Sequence, residues 1–344
     1  MNRNSTIAFI FCAILVITGV ILFVAGRDMK VLKDAFSGNV TTTTLEYQGD
    51  VLRNDTDSIG FQRAVTDEEL AELVSRYSFD ETFYPYFGML TAEQKKAYYL
   101  VYDCALNAGK SILLGDVVDL DKQDAMTVVS AVYNDHPELF WMESGVTYSY
   151  HSHNDSVSSL ILKYNNLVYD LDNAREAFES QADSILNEAE TKGDALHKEA
   201  FIHDRICELC TYDVNATNHQ SAYSCLIEGR SVCSGYARSF QYLMQRMGVP
   251  AYYVIGTDAK NMSHAWVIVR FGSDFYNVDV TWDDDMSDQL NMDVHAFFNV
   301  SDEAMSSTHV RTENSVNLPA CRDDSLSYDK VIGDTVTIDQ LSFR

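Results

Sequence analysis

The stretch that most constrains the fold runs from residue 218 to residue 285, centred on Gly229-Arg230-Ser231-Val232-Cys233-Ser234-Gly235-Tyr236-Ala237. After Cys233 the apolar positions Tyr236, Ala237, Phe240, Leu243, Met244 and Met247 recur with a period near 3.6, and Gly248 and Pro250 then stop the pattern. The periodicity predicts a helix of about four turns with Cys233 in its first turn. There the unpaired N–H groups and the positive end of the dipole favour thiolate over thiol, so the position suits a nucleophile. Gly235 is expected to keep the backbone uncrowded for an approaching substrate.

Two strands are expected next, 264–270 and 275–280, joined across Gly272-Ser273. That turn pairs Phe271 with Asp274. The same register, carried back, sets His264 opposite Thr281 and Trp266 opposite Asp279. His264 and Asp279 are then diagonal neighbours on one face, with Cα atoms about 7–8 Å apart. A slip of one residue would put them on opposite faces. The expectation is a Cys233-His264-Asp279 triad. Cys233 attacks a carbonyl, His264 carries the proton and Asp279 orients the ring. The Cys233 N–H is the first donor to the oxyanion, with Gln220 and Tyr223 as candidates for the second.

The residues Tyr212-Asp213, Ala222-Tyr223, Gly229, Val232-Cys233-Ser234-Gly235-Tyr236-Ala237, Gly248-Val249-Pro250, Ser263-His264-Ala265-Trp266 and Tyr276-Asn277-Val278-Asp279-Val280-Thr281-Trp282-Asp283 come in an order that resembles the bacterial transglutaminase-like superfamily. Phe297-Phe298-Asn299-Val300-Ser301-Asp302, His309 and Leu318-Pro319-Ala320-Cys321 extend the likeness, which covers roughly 170–325. The resemblance implies an α+β, papain-like core, in which a helix bearing the cysteine packs on an antiparallel sheet bearing the histidine and aspartate. It implies Cys233, His264 and Asp279 as the catalytic residues. Ser234 stands where the family often has Glu or Gln, and Val267 where Asn often follows His-Ala-Trp.

The implied function is a cysteine enzyme that forms a thioester on Cys233 from a peptide or glutamine-type amide. Water as acceptor makes it a peptidase or amidase, and an amine acceptor makes it a cross-linking enzyme. A catalytically silent module binding cell-surface peptide or glycan is the alternative. No cofactor is required by this chemistry.

Length and charge set outer bounds. The 344 residues leave room for two ordinary domains, and a formal charge of −26 argues against nucleic acid as a partner. Protein or peptide substrates fit better. Residues 7–25 form an uncharged apolar run after Arg3, close to the ~20 residues of a spanning helix and longer than the apolar core of a signal peptide. This reads as a transmembrane signal-anchor over 1–26, with a secreted form cleaved at Val24-Ala25-Gly26 as the alternative. The Lys/Arg count (Arg27, Lys30 and Lys33 against Arg3) would hold the downstream side in the cytoplasm. An N-terminal apolar segment before a large polar domain nevertheless favours an extracytoplasmic catalytic domain.

Four segments are therefore expected: the anchor at 1–26, a polar linker at 27–66, a small α+β domain at 67–168 and the catalytic domain at 169–344. Within the third, Thr91-Ala92-Glu93-Gln94 has capping-box form, Asp121 caps a further helix, and 140–150 and 157–164 read as strands. Its aromatic residues Tyr77, Phe83, Tyr84, Tyr86, Phe87, Tyr98, Tyr99 and Tyr102 suit either a binding groove or a core.

Helical pattern spans 171–209, interrupted at Gly193. On it, His203, Cys207 and Cys210 fall at i, i+4 and i+7, a conceivable metal face, although Ile202, Ile206 and Leu209 beside them make a buried stripe the simpler account. His151 and His153 read as a solvated hairpin tip, Asp283-Asp284-Asp285 as a solvated acidic loop, and 322–344 as a final strand or tail. A Cys225–Cys321 bridge is conceivable outside the cell. Seven cysteines in so long a chain do not form a disulfide scaffold.

Overall fold

The computed structural model describes residues 64–151 and 153–341, together with the backbone of 42–47. The apolar segment 7–25 lies outside the described residues. Among those described, no helix is long and apolar enough to cross a membrane.

Strand β1 (Thr42–Tyr47) lies in the stretch read as linker and pairs parallel with residues 146–151. Its run of β-branched threonines suits an extended strand, a signal the polarity of the segment masks. Helices α1 (Asp67–Arg76), α2 (Ala92–Leu106) and α3 (Lys122–Asp135) each start at a reciprocal capping box, Thr66 with Glu69, Thr91 with Gln94 and Asp121 with Asp124. With β2 (Ser111–Leu113), β3 (Met142–His151) and β4 (Val157–Tyr164) they complete a first layer, whose sheet has the order β1-β3-β4-β2.

Helices α4 (Leu171–Ala189) and α5 (Ala195–Leu209) follow, separated at Gly193, whose φ of 105° a residue with a Cβ rarely adopts. The short parallel pair β5 (Thr211–Tyr212) and β6 (Arg230–Ser231) then leads into α6 (Cys233–Arg246). A second, antiparallel sheet has the order β10-β7-β8-β9, from β7 (Ala251–Asp258), β8 (Ser263–Phe271), β9 (Asp274–Val278) and β10 (His309–Arg311). Helix α7 (Val280–Leu290) leaves the end of β9. The segment read as a final strand or tail instead holds a short helix, Tyr328–Val331, and a turn of 3₁₀ helix, Ile338–Gln340.

The described residues pack as one compact unit, and a single apolar core runs through both layers. Helix α6 makes the junction. Arg238, 1% exposed, donates from Nη1 to the Tyr133 carbonyl (2.6 Å) and from Nη2 to the His136 carbonyl (3.1 Å), while Gln241 Nε2 reaches the Asn134 carbonyl (2.9 Å). These carbonyls lie in the last turn and cap of α3, where a cation also complements the helix dipole. The Tyr86 hydroxyl adds a bond to the Tyr253 carbonyl on β7 (2.6 Å). The helix that carries Cys233 is thus fixed by the layer before it.

The aromatic residues of 77–102 build core rather than a groove. Phe79 makes ring contacts with Tyr84, Phe87, Tyr98, Tyr99, Tyr102 and His136, and Tyr86, Tyr98 and Phe87 are buried.

Candidate active site

Helix α6 begins differently from α1, α2, α3 and α5. Side chains of Thr66, Thr91, Asp121 and Asp194 cap those helices, whereas the α6 cap residue, Val232, has no side chain to offer. Val232 is held instead through its backbone N–H on the His219 carbonyl (3.1 Å). Cys233 is therefore the first residue of a helix whose leading N–H groups receive no side-chain cap, a natural seat for a developing oxyanion.

Gly235 is required, but not for a substrate. A Cβ there would lie 1.8 Å from Ser231 Oγ and 2.8 Å from the Ser221 carbonyl, so the glycine lets the preceding loop pack against the helix. Ser234 hydrogen-bonds the Gln220 carbonyl (3.1 Å) and accepts the Tyr253 hydroxyl (2.9 Å), pinning the same loop. Tyr223 packs on Phe140 and Phe178, its ring committed to the core.

The hairpin has the expected register, from Phe271↔Asp274 to Val267↔Val278. The strand ends one residue before Asp279, however. Asp279 does not continue opposite Trp266 but caps α7, with Oδ1 accepting the N–H groups of Thr281 (3.0 Å) and Trp282 (3.1 Å). Its own helix thereby aims the other oxygen. Oδ2 accepts from His264 Nε2 (2.5 Å) and from His309 Nε2 (2.9 Å).

The second imidazole, His309 on β10, is the residue that sequence reasoning left without a role. It falls within the family-like pattern, but a separation of 30 residues from Asp279 carries no register by which to place it. A glycine opens the space. A Cβ on Gly256 would meet the Trp266 ring and the Val310 carbonyl at 2.4 Å, so β10 can close on β7 only because that side chain is missing.

The electrostatics follow from burial and pairing. Burial by itself would lower the basicity of His264. The Asp279 carboxylate outweighs it, aided by a hydrogen bond from the ring to Cys233, and the imidazole is raised to about 10. Because Nε2 is taken by Asp279, Nδ1 is the nitrogen left for the sulfur. Burial works against ionised Asp279, but the two histidines overcome it and hold the carboxyl well below the usual range. His309 is lowered, chiefly by burial, and so is neutral near pH 7. Tyr212, half exposed, lies at the edge of the site. Burial first, then the charges of Cys233 and Asp279, push its phenol up.

Two other expectations are corrected. Asp283 and Asp284 are not in a solvated loop but on α7. Asp283 is 0% exposed and accepts His203 Nε2 (3.1 Å) and the Phe297 N–H (2.9 Å), and Asp284 accepts the Tyr236 hydroxyl (2.7 Å). Cys225 and Cys321 are free thiols. The first hydrogen-bonds Cys210 and the second sits beside Arg311 and Asp302.

Nor do His203, Cys207 and Cys210 converge. The helix ends at Leu209, and Cys210 turns out of it as the C-cap. Among the described residues two groups have ligand atoms within 4.8 Å of one another, His264-Asp279-His309 and His203-Asp204-His295.

A thiol on a helix, an imidazole on an antiparallel sheet and a buried carboxylate at the start of the next helix make an arrangement that can support acyl transfer. Residues 165–280, which carry Cys233, His264 and Asp279, match the family model described as the transglutaminase-like superfamily. Among solved structures, one described as a TGase aligns at 16% identity with a TM-score of 0.28, over 50% of this chain and 50% of that one. A candidate cysteine protease from Cytophaga hutchinsonii aligns at 16% identity and a TM-score of 0.28, over 52% of this chain and 58% of that one. The chain thus spans about half the length of the structures it matches. No curated protein matches it significantly.

Proposed function

We propose that this protein is a Cys-His-Asp acyl-transfer enzyme that forms a thioester on Cys233 from a peptide or glutamine-type amide. The observation that carries the reading is the fully engaged Asp279 carboxylate. Two N–H groups hold one oxygen and two imidazoles the other, and one of those imidazoles hydrogen-bonds Cys233.

In the first half-reaction the raised His264 ring already carries the proton on Nδ1, and the Cys233 thiolate beside it attacks the carbonyl carbon. The oxyanion settles toward the Cys233 N–H. Collapse breaks the C–N bond, Nδ1–H protonates the departing amine, and the thioester remains. In the second half an acceptor gives its proton to the now neutral Nδ1 and attacks the thioester, and the sulfur leaves as thiolate beside the protonated ring. Water yields the acid, and an amine yields a new amide. Asp279 holds the ring in one orientation and stabilises the imidazolium in both halves.

The partner is a protein or peptide. The apolar run 7–25 supports display at the cell membrane, with the catalytic domain on the extracytoplasmic side. Product masses from a glutamine-bearing peptide, with and without a primary amine, test the chemistry. In water a one-dalton gain means hydrolysis of the side-chain amide and two fragments mean peptide-bond cleavage, whereas an amine adduct means cross-linking. A peptide unchanged in both, with Cys233 inert to iodoacetamide, refutes the acyl-transfer reading.

A further inference from the structure

We propose that His203, Asp204 and His295 form a binding site for a divalent first-row transition ion, separate from the Cys233 site. Two segments far apart in the chain bring the ligands together. His203 and Asp204 are neighbours on α5, and His295 lies in the chain beyond α7. Asp204 Oδ1 is 3.2 Å from His203 Nδ1 and 2.6 Å from His295 Nε2, and all three atoms lie within 4.8 Å of one another.

The arrangement is directional. His203 Nε2 is bonded to Asp283, itself fixed by the Phe297 N–H, so the ring is locked with Nδ1 facing Asp204. A buried carboxylate on the far nitrogen of an imidazole is the usual support of a metal-bound histidine. The His295 ring is clamped by stacking on Tyr328 at 3.7 Å and 10°. Asp204 has a side chain 46% exposed, and it faces a cleft of about 460 Å³ that Glu208, Asp284, Asp288 and Asp293 also line. That gives an entry path whose acidic walls attract a cation.

Two imidazole nitrogens and one carboxylate oxygen select Zn²⁺ and its first-row neighbours over Ca²⁺ or Mg²⁺, which take oxygen sets. Three protein ligands leave a position open toward the cleft. Bound metal would tie α5 to the segment after α7 and, through Asp283, steady the helix that Asp279 caps.

The test is Zn²⁺ titration of the EDTA-stripped full chain by calorimetry, with Co²⁺ absorption as a second readout and thermal melts of apo and loaded protein. One equivalent should bind, Co²⁺ should give visible bands of a low-coordinate N/O site, and loading should raise the melting temperature. Asp204→Asn, at a half-exposed position that folding tolerates, and His295→Gln should each weaken binding at least ~10-fold, and Asp283→Asn by roughly 10- to 100-fold. His309→Gln should leave it unchanged. Failure of the wild-type chain to bind would overturn the site. So would undiminished binding by Asp204→Asn and His295→Gln, or loss in His309→Gln alone, which would move the metal to Asp279. These readouts do not depend on acyl transfer.

Discussion

Asp279 and Asp283 sit one turn apart at the start of α7, and each ends on a buried imidazole. Asp279 Oδ2 holds His264 and His309, and Asp283 Oδ2 holds His203. One short helix therefore anchors two histidine clusters, the first facing Cys233 and the second the acidic cleft. The Asp283 N–H closes that turn on the Asp279 carbonyl at 3.2 Å.

Cys233 should be the thiol that reacts first. Burial pushes Cys104 and Cys321 up to about 12, and burial also raises Cys207 and Cys225. Near pH 6, iodoacetamide should modify Cys233 well before those four, as read by peptide mass mapping. Cys233→Ser should lower turnover by roughly 10⁴-fold or more without changing the melt.

Asp279→Asn should lower kcat/KM by roughly 10³- to 10⁴-fold. Losing the carboxylate also leaves burial to dominate His264, so its titration by NMR should move from about 10 to the ordinary range or below. The stability consequence has a defined sign. A raised histidine contributes fully below its unfolded value of about 6.5 and loses that contribution as pH climbs toward 10. Asp279, depressed, contributes above about 4 and loses its share as pH falls. Melting temperatures of the wild type should fall at both ends, and both limbs should flatten in Asp279→Asn.

His309 is a positioning residue, separable from mere packing by two substitutions. His309→Phe keeps ring contacts with Trp266, Trp282 and Phe297 but drops the bond to Asp279. It should cost about 10- to 100-fold in kcat, the value of a hydrogen bond to a charge, with little change in KM. His309→Gln, which can still donate, should cost less. Equal losses in both would mean that packing alone matters.

Arg238→Met should destabilise the protein by about 2 kcal/mol, because the buried Tyr133 carbonyl loses its Arg238 donor and the His136 carbonyl keeps only the Leu139 N–H. Since both layers share one core, the melt should stay a single transition at a lower temperature. Two separate transitions would contradict the shared core.

Much of the site was legible in the chain. Capping boxes and helical periodicity placed α2, α3 and α6 because such signals act over a few residues. A two-residue turn determined the hairpin register because pairing is arithmetic once the turn is known, and that register put His264 and Asp279 on one face. The same local reasoning extended β9 too far and read α7 as a loop, since three consecutive aspartates look solvated until tertiary contacts supply donors for Asp283 and Asp284.

What only the folded chain decided are the contacts that span long separations. The bond from His309 to Asp279, the seat of Arg238 on the end of α3, and the meeting of His203, Asp204 and His295 all depend on how layers pack. No periodicity records them. Sequence thus pointed to the residues that could do the chemistry and to the elements that carry Cys233 and His264. The choice of what holds Asp279 in place fell to tertiary structure, because a buried carboxylate takes its orientation from every donor that packing brings within reach.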